Sequence, residues 1–165
     1  MKQDQLKAWQ PDQFDRFVRI LEQDQLNHAY LFSGFFGSLE MAQFLAKSLF
    51  CTDKVGVLPC EKCRNCKLIE QEEFPDVTLI KPVNQVIKTE RIRELVGQFS
   101  QAGIESQQQV FIIEQAEKMH PNAANSLLKV IEEPQSEVYI FFLLFKMENL
   151  GPTTDCWQHL FLITG

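Results

Sequence analysis

Four of the chain's five cysteines fall in the pattern C-x8-C-x2-C-x2-C: Cys51, Cys60, Cys63 and Cys66. The tight run puts three thiolates within reach of one point, and Cys51 can return across the loop as the fourth. Four thiolates in a tetrahedral array are the donor set of a closed structural zinc site. Dense cysteine spacing also serves iron–sulfur clusters, so an iron–sulfur centre is the functional alternative, and free buried thiols are the plain one. A disulfide pair is unexpected in a cytosolic chain. Lys62, Arg64 and Lys67 interleave the ligands and offset part of the charge of four thiolates. With no open coordination position, such a metal holds a segment folded and does no catalysis. Cys156 lies too far along the chain to join the group and reads as a lone thiol.

The second chemical signal is a loop whose chemistry has been removed. Ser33-Gly34-Phe35-Phe36-Gly37-Ser38-Leu39-Glu40-Met41 follows the apolar run Ala29–Phe32 and opens into a helical pattern from Ser38 to Phe50. That is the strand–loop–helix setting in which G-x-x-x-x-G-K-[ST] cradles nucleotide phosphates. Counted from Gly34, the second glycine is Leu39, the lysine is Glu40 and the magnesium-binding hydroxyl is Met41. A carboxylate therefore stands where a cation should meet phosphate. At about 4 Å a like-charge pair costs roughly 4 kcal/mol near a protein surface, where the lysine would have gained a similar amount. A fold of this kind with this loop is expected not to hydrolyse ATP. Phe35 and Phe36 form an apolar pair at the loop tip, fit either for a subunit contact or for plugging a vacant nucleotide site.

These segments need a scaffold, and the hydrophobic pattern supplies one. Phe14, Phe17, Val18 and Leu21 recur at helical spacing, as do Met41, Ala42, Leu45, Ala46 and Leu49. Apolar runs at Tyr30–Ser33, Asp76–Ile80, Val110–Ile113 and Val138–Leu144 predict four strands. Between them, Thr89 reads as the N-cap of a helix burying Ile92, Leu95, Val96 and Phe99. Pro121–Glu133 reads as a helix with Ala124, Leu127, Leu128 and Ile131 inward, stopped by Pro134. Strands alternating with amphipathic helices predict a three-layer α/β fold, a parallel sheet covered on both faces. At 165 residues the chain suits one domain, with the cysteine segment 51–66 inserted after the first strand–helix unit.

Composition narrows the function classes. The balance of 45% hydrophobic and 23% charged residues is that of an ordinary globular domain. No run approaches the ~18 apolar residues of a membrane span, and the start Met1-Lys2-Gln3-Asp4-Gln5 lacks a signal-peptide pattern. A cytoplasmic chain without membrane partners is expected. A net charge of −6 argues against a domain that grips nucleic acid alone. Lys88, Arg91 and Arg93 read as a solvated basic face, and His28 and His120 as capping or surface histidines.

Together, the altered loop and the cysteine segment that follows it resemble the clamp-loader subunits of bacterial DNA polymerase III, an AAA+ family. Asn27-His28-Ala29-Tyr30-Leu31-Phe32-Ser33-Gly34 is similar to the approach to that family's first strand, and Phe74-Pro75-Asp76-Val77 to its next strand. Asn122 through Pro134 resembles its N-x-L-L-K-x-x-E-E-P helix, the most specific signature present. The likeness covers about residues 14 to 144. It implies a P-loop NTPase-like (AAA+) fold with an inserted zinc module. Interface roles for Lys129, Glu132 and Glu133 are part of the same implication.

Two kinds of subunit share these motifs: an ATPase with an intact loop, and a delta prime kind that has lost it. Leu39-Glu40-Met41 points to the second. So do Glu114 and Gln115 after the third strand, where the ATPases carry an acidic pair and Gln115 cannot polarise an attacking water. The resemblance then implies a non-catalytic subunit without bound ATP, within the DNA-directed DNA polymerase (nucleotidyltransferase) holoenzyme. Its expected partners are the gamma/tau ATPase and delta subunits, with the sliding clamp and primed DNA met through the complex. The alternatives are a gamma/tau-like subunit that binds or hydrolyses ATP, and a zinc-stabilised nucleic-acid-binding module.

The final stretch departs from the family pattern. Pro152-Thr153 is followed by Thr154-Asp155-Cys156-Trp157-Gln158, so Trp157 stands where a Ser-Arg pair is expected to offer an arginine finger. Phe145-Lys146 replaces the polar sensor position. Lid and collar domains are expected to be absent, residues from about 145 to 165 read as an altered ending, and Leu160–Ile163 as an exposed apolar tail.

Overall fold

The computed structural model describes residues 3–33, 37–99, 106–132, 137–145 and 161–164. Two short helices come first, α1 (Gln3–Trp9) and α2 (Pro11–Glu22). They are followed by β1 (Ala29–Ser33), α3 (Ser38–Phe50), α4 (Arg64–Glu70) and β2 (Val77–Ile80). The second half runs α5 (Thr89–Gln98), β3 (Gln108–Glu114), a 3-10 turn at Ala116–Lys118, α6 (Pro121–Glu132), β4 (Glu137–Leu144) and β5 (Phe161–Thr164). All strand pairs are parallel, in the order β2-β3-β4-β1-β5.

Every described residue of β1 is buried, and its alternating side chains enter two separate cores. Ala29 and Leu31 face one side with Phe111, Ile113, Ile140 and Phe142, packed under α5 and α6. Tyr30 and Phe32 face the other with Val110, Ile112, Phe141 and Leu143, packed under α2 and α3. A strand with both faces dry must read as a continuous apolar run, which is why Tyr30–Ser33 was conspicuous without any alternation. Phe17 of α2 seals the second core edge-on, 5.3 Å from the Tyr30 ring and 5.8 Å from the Phe32 ring.

Several boundaries differ from the sequence pattern. β3 extends to Gln108 and Glu114, since polar residues can end a strand whose middle is buried. Thr89 is not a cap: Lys88 occupies that position, and no side chain caps the helix. His120 does so for α6 instead, its Nδ1 accepting the Asn122 N–H at 3.1 Å. His28 donates Nδ1–H to the Val138 carbonyl at 2.8 Å and stacks on Tyr139. The backbone of Phe161–Thr164 is not an exposed tail; it pairs in parallel with Tyr30–Ser33 as the fifth strand. An apolar run with no turn signal of its own can be placed only by finding the free edge of β1.

Candidate metal centre and degenerate nucleotide loop

The four cysteines of the C-x8-C-x2-C-x2-C pattern come together, with all their Sγ atoms within 4.8 Å of one another. Each is positioned by a different local device. Cys51 is the residue at which α3 stops, turning to extended backbone with its N–H still donating to the Lys47 carbonyl at 2.8 Å. Cys63 is the N-cap of α4, its sulfur accepting the Cys66 N–H at 3.4 Å. Cys66 lies in the first turn of α4, fully buried. Cys60 precedes Glu61, whose φ of +61° turns the chain back so that its thiol accepts from the N–H groups of Lys62 and Cys63 at 3.3 and 3.2 Å.

This arrangement fits one tetrahedral ion. Four sulfurs at a zinc–sulfur distance of about 2.3 Å stand about 3.8 Å apart, and Cys63 and Cys51 are separated by 3.9 Å. Thiolates bound to separate irons of a cluster diverge further than one ion requires, so the packing favours a single metal. None of the four is in a disulfide.

The electrostatics prepare the same outcome. Burial works against the Cys63 thiolate, but hydrogen bonds from Cys66 and Thr52 outweigh it and bring the thiol down to about 6. Burial pushes the Cys51 and Cys66 thiols up. Without a cation the group therefore cannot hold four negative charges, and a metal would supply the missing compensation.

Sequence reading missed how the module is fastened. Lys47 of α3 is only 2% exposed, and its ammonium lies 3.8 Å from Glu61 and 3.9 Å from Glu70. Glu61 also accepts the Gln3 N–H at 2.7 Å, tying α1 to the same turn. Asn65 Nδ2 donates to the Phe50 carbonyl at 2.9 Å, closing the end of α3. A lysine among the apolar residues of the last turns of α3, followed by Glu61 within the cysteine run and Glu70 beyond it, was the available signal.

At the other end of α3, Gly37 is the N-cap, with φ of +81°. A Cβ there would stand 3.5 Å from the Gln10 side chain, so the α1–α2 corner packs directly over this turn. Ser38 is buried, Leu39 and Glu40 are half-buried, and Met41 points into the core beneath the sheet. Gly34, Phe35 and Phe36 lie outside the described residues, as do Leu128's side chain, Glu133, Pro134, Lys146 and residues 151–160, which include Pro152 and Trp157.

Glu114 ends β3 on the same side. Burial raises its carboxyl above the usual range; Lys81 opposes this, and the carboxylates of Glu72 and Glu40 add to it. Glu40 is the smallest of these contributors, so the two acids act on one another only weakly. Gln115 adopts a left-handed conformation, φ +50°, and starts the 3-10 turn. Three residues on from Glu114, Glu117 accepts the Phe145 N–H through both carboxylate oxygens at 3.2 Å, locking this turn to the end of β4.

A family model described as DNA polymerase III, delta subunit, matches residues 9–156. The chain belongs to this family. Among individual proteins, DNA polymerase III subunit delta' of Bacillus subtilis is 44% identical over 151 residues, 90% of this chain and 46% of the relative. DNA polymerase III subunit tau/gamma of Haemophilus influenzae is 36% identical over 126 residues, 75% of this chain and 18% of the relative. The chain therefore spans less than half the length of these curated relatives. A crystal structure of a DNA polymerase III gamma subunit-related protein from Thermotoga maritima superposes with a TM-score of 0.59, covering 91% of this chain and 45% of that one at 18% identity. The likeness establishes the α/β, three-layer, P-loop NTPase-like (AAA+) fold. Within the described residues no helix is long and apolar enough to cross a membrane.

Proposed function

We propose that this chain is a non-catalytic clamp-loader subunit of the delta prime kind, assisting DNA polymerase III in placing its sliding clamp at primed sites. One observation carries the reading: Glu40, in the first turn of α3, stands where the loop's phosphate-binding cation is expected, and Glu114 ends β3. A carboxylate at that position repels phosphate, while Met41 and Gln115 offer neither the hydroxyl for magnesium nor the carboxylate for water. The degenerate loop runs through Gly34, Gly37, Ser38, Leu39, Glu40 and Met41, and the degenerate acidic motif through Glu114 and Gln115.

On this reading residues 1–165 form one AAA+ domain in the cytoplasm, with the module 51–66 held by one structural zinc on Cys51, Cys60, Cys63 and Cys66. Its role is to be a fixed wall beside subunits that do hydrolyse ATP. Those partners are the gamma/tau and delta subunits, with clamp and primed DNA reached through the assembly. The greater identity to a delta' relative than to a tau/gamma one supports the choice between the two kinds.

A fluorescent-ATP titration and a coupled hydrolysis assay test it, run beside co-purification with a gamma/tau ATPase. The expected result is no saturable binding below about 1 mM nucleotide, no turnover, and retention on the ATPase subunit. Stoichiometric binding with turnover would remove the non-catalytic assignment.

A further inference from the structure

The connection between β2 and α5 plays no part in that reading. It leaves the edge strand of the sheet at Lys81, doubles back over Val83–Val86 and enters α5 at Thr89. Val83 N–H donates to the Val86 carbonyl at 2.9 Å, and Val86 N–H returns to the Val83 carbonyl at 3.2 Å. Asn84 and Gln85 between them have φ of +53° and +68°, the signature of a tight type I′ hairpin turn. The tip is thus a defined structure, yet it presents two β-branched apolar side chains to water. Val83 is 65% exposed and Val86 53% exposed, two of only four large apolar side chains so exposed among the described residues.

Behind the hairpin lies a cavity of about 340 Å³, lined by both valines, Ile87, Lys81, Lys88 and Arg91, among others. Three cations in one groove run against a chain of net charge −6. Lys81 and Arg91 make only exposed pairs, with Glu72 at 3.5 Å and Glu94 at 3.3 Å, which an incoming carboxylate can exchange. Lys88 makes no ion pair among the described residues.

We propose that this groove docks an extended acidic segment of a partner protein, seating one apolar side chain in the cavity and its flanking carboxylates on Lys81, Lys88 and Arg91. The volume is ample for one leucine or phenylalanine side chain together with the peptide backbone beside it. The aliphatic lining offers no aromatic platform for stacking bases, so a peptide is favoured over nucleic acid. The edge position of β2 leaves room for an extended chain alongside.

The test uses the full chain, isotopically labelled, and an acetylated peptide with a central leucine flanked by Asp and Glu. A leucine-to-alanine version, a lysine-flanked version and an oligo-dT strand are the controls. The acidic leucine peptide is expected to bind with a Kd on the order of 100 µM and to shift amide resonances within 79–91. Replacing its leucine, or introducing Val86→Ser, should weaken binding about fivefold to tenfold. Lys88→Glu together with Arg91→Glu should weaken it at least as much, with the effect reduced at about 1 M salt. All three substituted side chains are exposed, so the thermal midpoints of these variants should match the parent and exclude misfolding as the cause. No shifts in 79–91, indifference to the leucine, or displacement of the peptide by the oligonucleotide would overturn the proposal.

Discussion

Helix α3 ends in two places where a ligand is expected, and they are built differently. At its C-terminus, Cys51 joins three cysteines that follow within 15 residues, and the backbone between them already donates five N–H groups to their sulfurs. At its N-terminus, Gly37 keeps a turn that suits an anion, but Glu40 in the first turn opposes one. The first site is assembled by local chain and needs only α3 and α4. The second draws on β1, α3 and β3. On the proposed reading, changing a few side chains there removes the chemistry while the surrounding fold persists for its packing.

The sharpest way to break this contrast is to remove the metal ligands. Cys63→Ser should release the ion and loosen residues 51–66 while the parallel sheet stays folded, because its two cores take only the partly buried Leu58 from this segment. Loss of even about 3–5 kcal/mol of the metal's contribution should lower the thermal midpoint by roughly 10 °C, with far-ultraviolet circular dichroism showing the sheet retained. Elemental analysis of the parent should find one zinc per chain; iron, or no metal, would defeat the assignment.

Next in size is the buried cation that fastens the module. Lys47→Ala leaves Glu61 facing a partly buried site without its partner, and a loss of about 3 kcal/mol is expected in urea unfolding. Lys47→Met, which keeps the volume and removes the charge, should cost less than Lys47→Ala when Glu61→Gln is made with it. Equal costs for all three would mean the pair is not what joins α3 to the turn.

At the opposite end the effects should be small and opposite in sign. The Glu114 carboxyl is raised in the folded state, so its contribution is favourable below the unfolded value and is lost as pH rises through the folded one. At neutral pH it is therefore a liability. Glu114→Gln should raise the thermal midpoint at pH about 7 by about 1–2 °C, with the gain shrinking toward pH about 4 as the parent's carboxyl protonates. A gain that grows on acidification would contradict the burial-driven shift.

The smallest expected change is in activity. Glu40→Lys removes the repulsion at Glu114 and restores one charge, yet ATP turnover should stay undetectable, since Met41 is committed to the core and Gln115 has no carboxylate. Turnover from this single change would mean the loop retains more of a phosphate cradle than its residues suggest.

How much was legible from residue types follows the same division. The convergence of the cysteines was, because four of them within 16 positions can meet without help from distant chain. The sheet was also, because strands with two dry faces, such as Tyr30–Ser33 and Val110–Ile113, must be apolar throughout. Helix α4 was hidden, since its cap is the sulfur of Cys63 and its pattern is interrupted by a ligand. The residue types Leu39, Glu40, Met41 and Gln115 were readable, since a missing cation or hydroxyl is a property of residue type, and the absence of turnover they imply is part of the proposal.

Position across the fold was not readable. That Lys47 meets Glu61 and Glu70, that Glu117 meets Phe145, and that Phe161–Thr164 lies beside β1 all depend on partners 14 to 131 residues apart being brought together. Residue type and spacing determined which ligands this protein can hold. Only the packing of the sheet decided which charges face each other, because burial and long-range contact set electrostatic cost, and neither is written in local sequence.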